Sequence, residues 1–424
     1  MSSFLLRSIG SGYQTLRALA LPAAGVCLLC MAGCNSGAHG KFTAEQMSQA
    51  QEKLAMIKSG TEWQMAHQQF LAGDLEKSLK TVDHSIELNP RVAKSHVLRG
   101  RVMLERSRLE EARAEFLTAQ QLDPKFVEAP YYLGIVYERV NQYDKALDSY
   151  RQAMELDPSS AQYVVAAAEM LITVNKLDDA EKLLNERRQY LEYNAAIRQT
   201  LGHIALLRND WNKAADLFAE ALLLAPGDQP ITEDLVQAQM LCGRYADAEM
   251  LLGKMLDKDE NKMRRDLKAQ RARCLIAMNR PVDARTILEE LTSDKDGAND
   301  LRAWGDLGTV AAILKDKANL RSAMNRVMAI APDRDEGYML KAMYCKQDNR
   351  LDDAIAAVDI AISKAGKDAS PYILKAMIQQ DQGKFADSRS TLNRALALDP
   401  NNERAKALLG ATDTTVTSHP DAAR

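Results

Sequence analysis

Any chemistry in this chain has to come from a short inventory of side chains. The six histidines, His39, His67, His84, His96, His203 and His419, could bind a metal or carry a proton near neutral pH. None of them falls in an HExxH or other paired-ligand spacing. His67, His84 and His96 are near enough in sequence to cluster in space if the elements carrying them pack together. The carboxylate pairs Asp178-Asp179 and Asp352-Asp353 have the right type for acid–base work. Both open helical stretches, however, where acidic groups cap free N–H donors and oppose the helix dipole. Neither a Gly-rich phosphate loop nor a G-x-S-x-G elbow occurs. The expectation is a non-catalytic chain with no metal, no cofactor and no small-molecule substrate.

The elements around these residues begin with the N-terminus. Arg7 and Arg17 precede an apolar run over residues 18–30, followed by Met31-Ala32-Gly33-Cys34 and then small polar residues. A run of 13 residues is shorter than the roughly 17–25 of a spanning helix, and with its basic flank it reads as an export signal. Ala32-Gly33-Cys34, with Met31 in place of the common Leu, resembles the lipobox of bacterial lipoproteins. That resemblance implies a signal peptide over 1–33, lipid (palmitate among its acyl chains) on Cys34, and attachment to the cell envelope. Asn35, where inner-membrane retention uses Asp, implies the outer membrane facing the periplasm. Residues 34–58 then comprise the lipidated cysteine, a tether and a leading helix over 42–58. Cys27 and Cys30 depart with the signal. Cys242 and Cys274, in first helices of adjacent units, could approach one another, and Cys345 stands apart.

The remainder is organised by a ruler. Pro90, Pro124, Pro158, Pro226, Pro332 and Pro400 are separated by 34, 34, 68, 106 and 68 residues, which is a 34-residue period with four residues inserted between Pro226 and Pro332. A period of this size marks a solenoid. Small and bulky residues keep their places along it: Gly100, Met103, Ala112, Phe116 and Ala119; Gly134, Tyr137, Ala146, Tyr150 and Ala153; Gly202, Ala205, Ala214, Phe218 and Ala221. Units without a proline keep the second-helix pairs Ala180 and Leu184, Ala248 and Leu252, Ala284 and Leu288, and Ala354 and Val358. A small residue lets two helices approach and a large one fills the groove beside it, so each unit is a hairpin with an apolar flank that only the next hairpin can bury.

These residues resemble the tetratricopeptide repeat (TPR) family. The resemblance implies an all-α, right-handed superhelical solenoid of about ten helix-turn-helix repeats over 59–402, with a capping helix over 403–410 and a disordered tail to 424. It also implies that inward positions of the first helices meet a partner on a concave face. Those positions are Trp63, His67 and Phe70; Val97, Arg101 and Leu104; Tyr131, Ile135 and Glu138; Gln199 and His203; and Met339, Met343, Ile373 and Met377. The Lys and Asn clamp with which some family members hold a chaperone's terminal carboxylate is missing from them. The net charge of −3 excludes the basic field of a nucleic-acid binder. One basic stretch, Lys262, Arg264, Arg265, Lys268, Arg271 and Arg273, is either a solvated helix face or a patch for an acidic partner or lipid headgroup. Together these features indicate a lipid-anchored scaffold that binds protein and helps assemble or stabilise a secretion, pilus or outer-membrane complex. A periplasmic accessory of polysaccharide export or synthesis is the alternative.

Overall fold

The structure, a computed structural model, describes residues 41–188, 190–293 and 295–418. The signal segment expected over 1–33, Cys34 with the tether expected after it up to residue 40, and residues 419–424 lie outside the described residues. What is described is an all-α solenoid built from ten successive helical pairs and one final helix. In chain order the pairs are α1 (Lys41–Leu71) and α2 (Leu75–Leu88), α3 (Ala93–Glu105) and α4 (Leu109–Leu122), α5 (Glu128–Arg139) and α6 (Tyr143–Leu156), α7 (Ala161–Thr173) and α8 (Leu177–Arg188), and α9 (Ala195–Leu207) and α10 (Trp211–Leu224). They continue with α11 (Gln229–Leu241) and α12 (Tyr245–Leu256), α13 (Arg265–Ala277) and α14 (Pro281–Ser293), α15 (Leu301–Leu314) and α16 (Lys317–Ile330), α17 (Glu336–Gln347) and α18 (Leu351–Lys364), and α19 (Ser370–Asp381) and α20 (Phe385–Leu398). The final helix is α21 (Glu403–Ser418). The chain divides into two compact units, one up to Asp234 and one from Leu235.

Every hairpin turns in the same way. The residue two places before each second helix has a left-handed backbone: Gly73, Ser107, Asn141, Asn175, Asn209, Gly243, Asn279, Lys315, Asn349 and Gly383, with φ between 56° and 80°. Gly and Asn tolerate this conformation, which ends the first helix by returning N–H donors to its last carbonyls. At Asn141 these bonds are Asn141 N–H to Glu138 O, 2.9 Å, and Gln142 N–H to Tyr137 O, 2.8 Å. Asp74, Asp210 and Asp316 then cap the second helices α2, α10 and α16. The expected capping pairs Asp178-Asp179 and Asp352-Asp353 sit two and three positions beyond the cap, inside the first turns of α8 and α18. There Asp178 pairs with Arg208, and Asp353 with Arg350 at 3.3 Å.

Within a hairpin, side-chain size is matched across the crossing. Where the second helix carries a ring, as at Phe116, Tyr150 and Phe218, the facing first-helix position is Gly100, Gly134 or Gly202, and a Cβ there would enter the ring. Where the second helix carries Leu or Val, the position is usually Ala: Ala66 with Val82, Ala272 with Leu288, Ala342 with Val358, Ala376 with Leu392. Gly308 departs from the pattern, its space being taken by Leu340 from the next first helix.

The four extra residues are two insertions of equal size. Second helices start at Leu75, Leu109, Tyr143, Leu177, Trp211 and Tyr245, then at Pro281 and Lys317, then at Leu351 and Phe385, so only the steps to Pro281 and Lys317 are 36 residues instead of 34. Each surplus pair is absorbed by a turn of 3₁₀ helix, Asp259–Asn261 and Gly297–Asn299.

The two ends are finished differently. In α3, Ser95, Leu98 and Val102 are buried and face the preceding helix, whereas their counterparts in α1, Thr61, Gln64 and Gln68, are polar and exposed. The leading helix expected over 42–58 is not a separate element, being the first half of α1, where Met47, Leu54, Met56 and Ile57 are exposed. At the other end α21 covers the last hairpin with Ala405, Leu408 and Leu409 packed near Leu392 and Ala395. It runs past the expected end at residue 410 to Ser418. Gln380 donates to Thr412 Oγ1 at 2.7 Å and extends the contact.

Candidate partner-binding face

In the first unit the first helices α1, α3, α5, α7 and α9 carry His67, Arg101, Ile135, Glu169 and His203 at one repeated position, 34 residues apart, and all five are half-buried. Their contacts run mainly from one first helix to the next. The His67 ring stacks on Trp63 with centroids 5.2 Å apart. Lys94 Nζ lies 4.3 Å over Trp63, whose Nε1–H donates to Lys94 O at 3.1 Å. The Arg101 guanidinium lies between two rings, 4.6 Å from Phe70 and 5.1 Å from Tyr132. Burial, together with the charge of Arg101, pushes the His67 imidazole below its usual range.

From α5 onward the face becomes aromatic and then acidic. Tyr131 packs among Tyr132, Tyr150 and Tyr163 and accepts a 2.6 Å bond from Gln162 Nε2–H on α7. Tyr150 reaches over from α6 and donates its hydroxyl to Glu138 at 2.8 Å. Burial raises the Tyr132 phenol to about 12. Burial, reinforced by the charge of Glu138, raises the Glu169 carboxyl to about 7. Gln199 and His203 on α9 both meet Asp234 Oδ2, at 2.8 and 2.9 Å.

Of the residues expected to meet a partner, Trp63, His67, Phe70, Arg101, Ile135, Glu138, Gln199 and His203 share this face and are half-buried. Val97, Leu104, Tyr131 and Ile373 are corrections, at 1%, 4%, 7% and 5% exposure. Leu104 belongs to the core with Phe116 and Leu133, and Tyr131 is walled in by other tyrosines. In the second unit Met343 and Met377 hold the equivalent positions, half-buried beside the hydrophobic clusters of their hairpins. Glu169 was missed although adding 34 to Ile135 reaches it. Asp234 and Tyr132 lie on neighbouring positions that no spacing singled out.

The other candidates disperse. His67 stacks on Trp63, His84 is exposed beside Glu87, and His96 is buried between Glu115 at 2.8 Å and Pro90 O at 2.9 Å, so the three do not converge. The hydrogen bond to Glu115 raises the His96 pKa. Among the described residues no group of three or more His, Cys, Asp or Glu could hold a metal. Cys242, Cys274 and Cys345 are free thiols. Cys242 lies just beyond α11 rather than inside it, and burial raises the buried Cys274 to about 11. The basic stretch is largely neutralised by neighbouring helices: Lys268 pairs with Glu290 at 2.7 Å, Arg271 with Glu249 at 2.8 Å, Arg273 with Asp306 at 2.9 Å and Arg265 with Asp300 at 3.3 Å. Beside the two insertions are open cavities of about 440 Å³, one lined by Trp304 and Arg326, the other by Lys268 and Arg271. No described helix is long and apolar enough to cross a membrane.

The repeated hairpin, its left-handed turn and its matched crossing define a class of helical repeat proteins. Tetratricopeptide repeat family models match residues 65–125, 131–160, 205–271, 243–305 and 369–402. The chain belongs to the tetratricopeptide repeat family. It is 30% identical over 136 residues to the human E3 SUMO-protein ligase RanBP2, a stretch that is 31% of this chain and 4% of that protein. The chain thus spans only a small fraction of the curated relatives it matches. Similar solved structures include a tetratricopeptide repeat protein from Parabacteroides merdae, with TM-score 0.42, 15% identity, and coverage of 55% of this chain and 92% of that one. Another is pilF of Pseudomonas aeruginosa, with TM-score 0.40, 17% identity, and coverage of 47% and 90%.

Proposed function

We propose that this protein is a non-catalytic scaffold that binds a partner protein on its first-helix face while Cys34 carries lipid that holds it in the cell envelope. The observation that carries the binding half is the ladder in the first unit, where His67, Arg101, Ile135, Glu169 and His203 are neither core nor fully exposed. Half-buried aromatic and charged groups in a row offer large contact area at low entropic cost, as binding hot spots do. The anchoring half is supported by the residues before Cys34 and by Asn35 after it, which favour the outer membrane facing the periplasm. Several acyl chains, each buried methylene contributing ~0.8 kcal/mol, hold a chain stably on a bilayer. The task is assembly or stabilisation of an envelope complex such as a secretion, pilus or outer-membrane machine.

The test is crosslinking in intact cells with affinity capture of the native chain and of Cys34→Ala, alongside labelled-palmitate incorporation. Label on the native chain alone, with one envelope complex captured only by it, is the expected result. Equal capture by both forms, or no label, removes the anchored scaffold.

A further inference from the structure

Two ionisable groups on the first-helix face of the first unit have no ion-pair partner among the described residues. Arg101 makes cation–π contacts to Phe70 and Tyr132, and among the described residues no carboxylate lies within ion-pair distance of it. Two repeats further on, no hydrogen bond or ion pair from a described residue reaches the Glu169 carboxylate, whose charged neighbours are Glu138 and His203. Elsewhere this protein pairs such groups across its helices, as Arg99 does with Asp83 and Glu115 and Arg208 with Asp178 and Glu181. Leaving an arginine and a glutamate half-buried without an ion pair costs desolvation, which the two rings offset in part for Arg101 and proton uptake in part for Glu169, and which a partner of opposite charge would offset further. Between them on α5 lie the half-buried Ile135 and Tyr132, with the Glu138 carboxylate, which accepts from Tyr150, towards the Glu169 side, so the face runs from a cationic to an acidic end.

We propose that this face is polarised and takes an extended peptide carrying one acidic and one basic side chain, the first on Arg101 and the second on Glu169. Resting on the scaffold reading above, it names the chemistry of the partner. Packed helices lie ~8–10 Å apart, so Arg101 and Glu169, with α5 between them, are separated by roughly 16–20 Å. An extended chain covers ~3.3–3.6 Å per residue, which puts the two charges about five residues apart in the peptide. The arginine, fixed by two rings, can present its N–H edge to a carboxylate without losing further side-chain freedom.

The experiment is a fluorescence-anisotropy titration of the full chain with four labelled twelve-residue peptides, rich in Pro and Ser so that they stay extended. They carry Glu and Arg about five residues apart, two Glu, two Arg, or two Gln. The Glu/Arg peptide is expected to bind about tenfold tighter than the others, as a charge-assisted contact of ~1.4 kcal/mol gives. Arg101→Glu is expected to move the preference to the two-Arg peptide, and Glu169→Lys to the two-Glu peptide. A variant that gains a new preference has folded, so such a switch cannot be an unfolding artefact. Equal binding of all four peptides, or unchanged preference in the variants, overturns the polarity and leaves peptide binding intact. Binding of none at millimolar concentration overturns both.

Discussion

At the scale of single residues, the face is made by side chains that give up stability. Glu169 has its carboxyl raised from 4.5 to about 7, first by burial and then by Glu138. A carboxyl with a raised pKa binds protons in the folded state that the unfolded chain has released. Its contribution is therefore harmless below pH 4.5 and grows more unfavourable as pH rises to about 7, reaching about 3 kcal/mol. Glu169→Gln is expected to flatten this part of the stability–pH curve, raising denaturant stability at pH 8 and leaving it nearly unchanged at pH 4. A variant that loses stability at pH 8 would show the carboxylate to be favourably held. In the core, Gly202→Ala puts a Cβ 2.6 Å from the Phe218 ring. It should destabilise by about 1–3 kcal/mol despite the better helix propensity of alanine. Adding Phe218→Leu should recover most of that loss, because Ala with Leu is the pairing already used by Ala272 and Leu288. Urea denaturation of the two single variants and the double one measures the coupling directly.

At the scale of elements, the turn repeats more strictly than any side chain. Ten hairpins place a residue in the left-handed region, and Gly or Asn occupies all but Ser107 and Lys315. Lys315 has φ 57° and pays a steric cost that Gly does not. Lys315→Gly is expected to stabilise the second unit by about 0.5–1 kcal/mol, the relief of strain exceeding the entropy glycine adds to the unfolded chain. The same substitution at a right-handed helical site such as Arg321 should cost about 1 kcal/mol, and thermal unfolding of both separates strain from a general glycine effect. This turn was legible as the polar step at Asn141 and Gln142. The 3₁₀ turns at Asp259–Asn261 and Gly297–Asn299 were not, because inserted residues disturb the ruler without revealing where the backbone absorbs them.

At the scale of the whole molecule, a solenoid needs its last flank covered, and α21 does this with Ala405, Leu408 and Leu409. Ending the chain after Asn402 is expected to lower the melting temperature of the second unit by several degrees, about what a loss of 1–2 kcal/mol produces, and to increase dye binding to exposed apolar surface. An unchanged melt would make α21 a bystander. At the opposite end no such loss is expected from replacing Thr61, Gln64 or Gln68, which already face solvent.

Much of this was written in one dimension. Contacts in a repeat array join residues a fixed number of positions apart, so the 34-residue spacing carried the fold, the hairpin turns, the core pairs and the repeated position that holds His67, Arg101, Ile135 and His203. Spacing alone does not say which member of an inward row is swallowed by its neighbours. Leu104 and Tyr131 stand on the same rows as Phe70 and Trp63, and only packing against Phe116 and the other tyrosines buries them. Neutralisation is equally a matter of three dimensions. The basic residues of 262–273 are paired by carboxylates from several helices, while Arg101 and Glu169 meet no such partner, because a charge is cancelled by what folding brings within a few ångströms and not by what precedes or follows it in the chain.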